Sequence, residues 1–343
     1  MASARSGGFC ASVVGGVTGQ WCCQFGAGVV NPCEGVAQAR TCASDCRVTV
    51  RLTRDLAALG LDARSIHTME RTGALVRVRR GAYSDQSEVE ARAAHLQLIE
   101  GTWPLLGGNA VLSHGSAAAL HGLPLWGSIL SEVSVTRPTG GHGTKRPYLH
   151  VWRAPMAYPE VTTKDGFRLT TLERTALDVA RLLPYEDAVA VLDAALHLGG
   201  DPSLLDRLLV NAGGRKGVRT ARAALAFADR RAESVGESVS RVRMAQVGLP
   251  APVLQFEVFD HLGIWVARTD FCWRERRVVG EFDGRVKYTG PEREVADAVL
   301  AEKRREQAIR DAGWWVVRWG WRDLADREAF RRRILQAFAS APS

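Results

Sequence analysis

Asp270 and Glu281 are carboxylates eleven positions apart, with the turn sequence Trp273-Arg274-Glu275-Arg276-Arg277 between them. If they sit on the two arms of a hairpin, strand pairing brings them within about 5 Å of each other. Two carboxylates at that spacing can share a hard divalent cation, which completes its shell with waters and phosphate oxygens. Such a cation activates water and stabilises charge on a scissile phosphate. Asp283 falls on the same side of its strand as Glu281 and Val279, opposite Phe282. The Asp283-Gly284 step is equally a turn signal. Lys287 follows Asp283 by four residues and could neutralise developing charge. Glu237 stands three residues after Ser234, the spacing of a capping box, nearly opposite the apolar stripe Val235, Val239, Val242. Each of these acids also has a plainer reading as a solvated strand or helix charge. A buried carboxylate pair, however, is costly without a cation or partner.

The elements that would position these residues read clearly. A helix is expected over about 234–247. The strands "APVLQFEVFD" and "GIWVARTDF" follow, joined at His261-Leu262-Gly263. "RRVVGEFDG" is a third strand, a long helix covers about 292–312 and closes at Gly313, and "WWVVRWGW" is a fourth strand. The order is αβββαβ, with a last helix behind it. On the long helix Lys303 reads as a solvated charge, while Arg304 and Arg305 are candidate phosphate contacts. Trp315 and Trp319 read as core.

That order, with "ESVGESVSR", "ARTDF", "VVGEFDG", "EKRREQ" and "GWWVVRW", resembles the very-short-patch-repair-like branch of the PD-(D/E)XK nuclease superfamily over 230–343. The resemblance implies Asp270 and Glu281 as ligands of Mg²⁺ (or Mn²⁺) and Glu237 as an accessory carboxylate. In the hydrolysis expected here Asp283 assists and Lys287 polarises. One position departs from the pattern. The superfamily usually has lysine two residues after the Glu, where this chain has Asp283.

The N-terminal half has a different character. Residues 47–85 read helix, helix, hairpin, the order of a winged helix, with Gly81 turning the hairpin. Residues 47–83 hold eight Arg against Asp55, Asp62 and Glu70, a local charge of +5. Arg77, Arg79 and Arg80 on the wing are candidate DNA contacts; the plainer reading is a small basic cap on the next region. Residues 86–228 form a mixed α/β region. His114 and His121 lie two helical turns apart and read as hydrogen-bonded packing residues. "RRGAY", "VLSHGSAAALHGLPL" and "TTLERTALDVARLL" together resemble AbiEi-type antitoxins of actinobacteria over about 50–228. That family pairs a winged helix with an α/β domain in type IV toxin–antitoxin and phage-defence systems. The resemblance implies DNA binding, repression and a cognate toxin, and brings no catalytic residues with it.

The bulk of the chain sets bounds. Its 343 residues suffice for two or three domains. A net charge of +8 suits an acidic partner such as nucleic acid. No apolar run reaches the roughly 18–20 residues of a membrane helix. Six of seven cysteines fall in residues 1–46, without paired knuckles or histidine for zinc. That segment reads as a disordered tail or an over-extended start, with Val48 or Val50 as initiation site. Cys272 reads as a small buried residue, and a reducing cytoplasm is expected. The expected chain is therefore α/β (α+β), with regions 1–46, 47–85, 86–228 and 229–343. It reads as a metal-dependent DNA endonuclease fused to an antitoxin-like DNA-binding module. The alternative is a non-enzymatic DNA-binding regulator whose nuclease fold is degenerate.

Overall fold

A computed structural model describes residues 50–342, apart from 87–88, 126–128, 139–142 and 285–291. The Cys-rich tail and Lys287 lie outside the described residues. The described chain is of the α+β class and packs as two compact units that divide between residues 242 and 243.

The first unit opens with strand β1 (Arg51–Leu52), helices α1 (Thr53–Ala58) and α2 (Ala63–Arg71), and strands β2 (Val76–Arg79) and β3 (Ala82–Ser84). The three strands form an antiparallel sheet in the order β1-β3-β2, the wing of a winged helix. Gly81 turns the hairpin at φ +78°, a conformation that glycine adopts without a Cβ penalty. Asp62 caps α2 by accepting the Ser65 N–H at 2.7 Å. Leu56, Ile66, Leu75 and Tyr83 are the core beneath.

Helix α3 (Ala91–Thr102) follows, with β4 (Val111–Leu112), α4 (His114–His121), β5 (Val133–Arg137), β6 (Thr144–Arg146), β7 (Leu149–Arg153), β8 (Val161–Lys164) and β9 (Phe167–Thr170). These strands make a mixed sheet ordered β6-β7-β5-β4-β9-β8. Its core gathers Leu98, Ile99, Leu112, Val133, Val135 and Leu169. Helices α5 (Leu172–Ala180), α6 (Tyr185–His197), α7 (Pro202–Asn211) and α8 (Val218–Phe227) continue the unit, and the division falls within α9 (Val235–Gln246).

The second unit is built on β10 (Val253–Phe259), β11 (Trp265–Trp273), β12 (Val278–Phe282), α10 (Glu292–Asp311) and β13 (Trp315–Trp319), with α11 (Trp321–Ala325) and α12 (Arg327–Ser340) at the end. The strands lie in sequence order, the first three antiparallel and β13 parallel to β12. With α9, the expected αβββαβ order is present. Period-two alternation sends Cys272, Val279 and Val316 into a core shared with Ile309 of α10. Phe271 and Trp319 are buried on the opposite parity, where Trp319 meets Phe330 of α12 with ring centroids 5.5 Å apart. Among the described residues, no helix is long and apolar enough to cross a membrane.

Candidate functional site

The β11–β12 register decides where the acid pair lies. Phe271 faces Gly280 across the antiparallel ladder, so Asp270 and Glu281 occupy the next step and share a face. Asp270 Oδ2 accepts the Phe282 N–H at 2.8 Å, which fixes its carboxylate beside β12. Both acids share the parity of Cys272 and Val279, so they lie on the α10 side of the sheet.

On that side Glu281 meets two arginines. In the parallel β12–β13 register Glu281 stands beside Arg318, whose Nε donates to Oε2 at 3.0 Å. Arg305 reaches from α10 and places Nη2 2.6 Å from Oε1. Its Nη2 also donates to the Arg268 carbonyl at 2.8 Å. Arg318 further pairs with Glu302 and, at 3.4 Å, with Glu306. Burial works against the charge of Arg305. The hydrogen bond and charge of Glu281, with Glu302 and Asp270, outweigh it and raise the guanidinium above its ordinary range.

This arrangement does not fit a hard cation. Mg²⁺ needs carboxylate oxygens turned toward it. Each Glu281 oxygen instead has a guanidinium nitrogen within about 3 Å, Oε2 in a hydrogen bond and Oε1 as an ion-pair contact without hydrogen-bond geometry. Among the described residues, no group of three His, Cys, Asp or Glu side chains is arranged to hold a metal.

The remaining expected site residues have engagements of their own. Asp283 follows the end of β12, is exposed, and donates its N–H to the Trp319 carbonyl at 2.8 Å. Glu237 belongs to the first unit and is buried. It caps its helix: its N–H donates to Ser234 Oγ at 3.1 Å and its Oε2 accepts the Glu233 N–H at 3.0 Å. Arg304 is exposed on α10, and Cys272 is buried, its thiol pushed up to about 12 by that burial.

On the wing the three arginines part ways. Arg79 turns inward, 9% exposed, and its guanidinium bonds the carbonyls of Arg80 and Gly101. It braces the wing against α3 and offers nothing to a phosphate. Arg77 lies over the Tyr83 ring and pairs with Glu70 at 3.1 Å. Arg80 is exposed. Pattern reading overlooked a stronger row. Arg64, His67, Thr68 and Arg71 are all exposed at i, i+3, i+4 and i+7 of α2, opposite buried Ile66. The amphipathic period of "ARSIHTMER" carries that signal.

The histidines are packing groups. His121 Nε2 donates to the Thr170 carbonyl at 2.8 Å. His114 is buried, bonded through Nδ1 to Ser113 Oγ at 3.0 Å and stacked on Trp152 at 4.2 Å.

The family described as "Transcriptional regulator, AbiEi antitoxin" matches residues 52–84, the strand, two helices and wing just described. Two proteins of Mycobacterium tuberculosis strains, each named only as uncharacterized, are 33% identical over 251 residues, which is 72% of this chain and 86% of each relative. The AbiEi antitoxin-like domain supports a toxin–antitoxin or phage-defence context. The chain belongs to the family of these mycobacterial proteins and carries an AbiEi antitoxin-type domain at residues 52–84.

Proposed function

We propose that the protein is a DNA-binding transcriptional regulator of the AbiEi antitoxin type, with α2 as the helix that enters the major groove. The observation that carries this reading is a coincidence. The antitoxin match at 52–84 covers a winged helix whose α2 turns Arg64, His67, Thr68 and Arg71 to solvent. A helix of this kind reads base edges with residues on its outer face, while neighbouring basic groups hold phosphates. Exposed Arg80 on the wing is the group this reading assigns to such a phosphate contact. The test is fluorescence anisotropy with duplex DNA from upstream of the protein's own gene. The double variant Arg64→Ala, Arg71→Ala should bind at least tenfold more weakly, since each good base contact is worth about 1–3 kcal/mol. Equal affinity would defeat the reading.

A second reading, phosphodiester hydrolysis by residues 229–343, draws on the adjacency of Asp270 and Glu281. It requires Arg305 and Arg318 to release Glu281. Plasmid nicking with Mg²⁺ or Mn²⁺, wild type against Asp270→Ala, decides it: activity lost in the variant supports hydrolysis, and no nicking by either protein ends it.

A further inference from the structure

We infer that the segment 213–222, "GGRKGVRTAR", which comprises the turn into α8 and its first helical turn, is a second contact surface for the phosphate backbone of duplex DNA. The inference rests on the reading of residues 50–84 as DNA-binding and extends it to another part of the same unit.

Several arginines on the helices of this unit are held by carboxylates. Arg174 is held by Asp178 and Glu160, Arg181 by Asp178, Arg231 by Asp229 and Arg241 by Asp193. The segment 213–222 is different. A hollow of about 520 Å³ is lined by Gly214, Arg215, Lys216, Arg219, Thr220 and Arg222 among others, and its lining includes four cations and no carboxylate. Lys216, Arg219 and Arg222 are exposed. Arg219 and Arg222 are three residues apart on α8 and so share a face.

The segment is also held in place. Gly217 has φ +79°, and a Cβ there would stand 1.8 Å from the Arg181 carbonyl oxygen. Only glycine lets the backbone lie so close. Arg181 in turn donates through Nε to the Lys216 carbonyl at 3.2 Å. The cations therefore project from a backbone fixed to the end of α5, and less ordering entropy is lost on binding.

Charge and lining together select the partner. The hollow has no aromatic or large aliphatic anchor of the kind that grips a peptide. Point cations around a wet hollow suit an evenly spaced polyanion, and duplex DNA carries one negative charge per about 1.7 Å of axis.

The test uses the full chain and a fluorescein-labelled mixed-sequence 30-bp duplex, with affinity measured across NaCl concentrations. Each phosphate contact contributes about 0.9 to the slope of log K against log salt. The triple variant Lys216→Gln, Arg219→Gln, Arg222→Gln should lower that slope by about 2–3, with an unchanged melting temperature. An unchanged slope, or no duplex binding by the wild type, overturns the inference. So does a variant that keeps DNA affinity and loses only binding to polyglutamate, which would mark an acidic protein as the partner. The Arg64→Ala, Arg71→Ala protein runs alongside. If it loses preference for upstream DNA while the triple variant keeps its slope, the α2 reading stands and the 213–222 reading falls. If it keeps that preference while the triple variant loses slope, the 213–222 reading stands and the α2 reading falls.

Discussion

Arg318 and Glu281 stand side by side on parallel strands, joined by an Nε–Oε2 hydrogen bond of 3.0 Å. The bond ties β13 to β12 through a carboxylate whose side chain is 12% exposed. A largely buried acid with one arginine removed keeps its desolvation cost and loses part of its compensation. Arg318→Ala should therefore destabilise the protein by about 1–3 kcal/mol, less than a fully buried pair because Arg318 itself is partly hydrated. Urea denaturation followed by tryptophan fluorescence measures it. Glu281→Gln should cost less than Arg318→Ala, since the neutral amide keeps the shape and removes the charge that needs partners. The reverse ranking would mean that the charge of Glu281 stabilises its two arginines by more than its burial costs.

Arg79 and Arg80 are neighbours with opposite duties. Arg79→Ala strips two backbone carbonyls of a buried donor, and each lost partner costs about 1–3 kcal/mol. Its melting temperature should drop by several degrees. Arg80→Ala should melt with the wild type and weaken DNA binding only. Thermal melts and anisotropy on both proteins separate the roles. A thermally neutral Arg79→Ala would show that the inward contacts matter little.

The Arg79–Arg80 contrast shows where sequence reading stops. A charge count over 47–83 finds a basic region but not which guanidinium points out, because β2 shifts register between Arg77 and Arg79. The C-terminal unit was legible because strict alternation and a Gly-closed helix fix its order, and the hairpin put Asp270 beside Glu281 as spacing suggested. The arginine clamp was not. Its two arms lie 24 and 37 residues from Glu281, on α10 and β13, and only tertiary packing joins them. One clue was available: a lone Arg318 within the apolar run "WWVVRWGW" needs an acid beside it. The β8–β9 hairpin was likewise within reach. Its Asp165-Gly166 turn has both residues at positive φ, the signature of a type I′ turn. The segment 213–222 carried Gly-Gly and cations in plain sight, but helical period alone describes its second half and leaves the first unread.

Acid should weaken the first unit. Burial pushes the His114 imidazole down to about 4, and lowers His95 and His121 as well. Arg174 and Arg181 add to the His114 shift, while Asp178 opposes it. Below about 6.5 the unfolded histidine takes up a proton that the folded one refuses. Stability is therefore complete above that pH and lost as pH falls toward 4, by up to about 3 kcal/mol for His114. Asp193 runs the other way. Burial raises its carboxyl to about 6, so its contribution grows as pH falls through that value. His114→Gln should flatten the acid limb of a stability–pH curve measured by urea unfolding between pH 7.5 and 4.5. An identical limb in the variant would show that His114 does not set the acid sensitivity.

Gly280 has no room for a methyl group. It sits within β12, and a Cβ there would lie 2.5 Å from Trp319 Cη2 and 2.7 Å from Cζ3. Trp319 cannot yield easily: it is 1% exposed and packs against Phe271 at 5.2 Å and Phe330 at 5.5 Å. Close-packed interiors answer added volume with strain, so Gly280→Ala should cost about 1–3 kcal/mol despite alanine's lower backbone entropy cost. The diagnostic measurement is a double-mutant cycle with Trp319→Phe, which trims the ring over Gly280. The double variant should be more stable than the sum of the two single losses implies, by about 0.5–3 kcal/mol, because each change relieves the defect of the other. Simple additivity would mean that β12 moves as a whole and that the ring contact does not set the need for glycine.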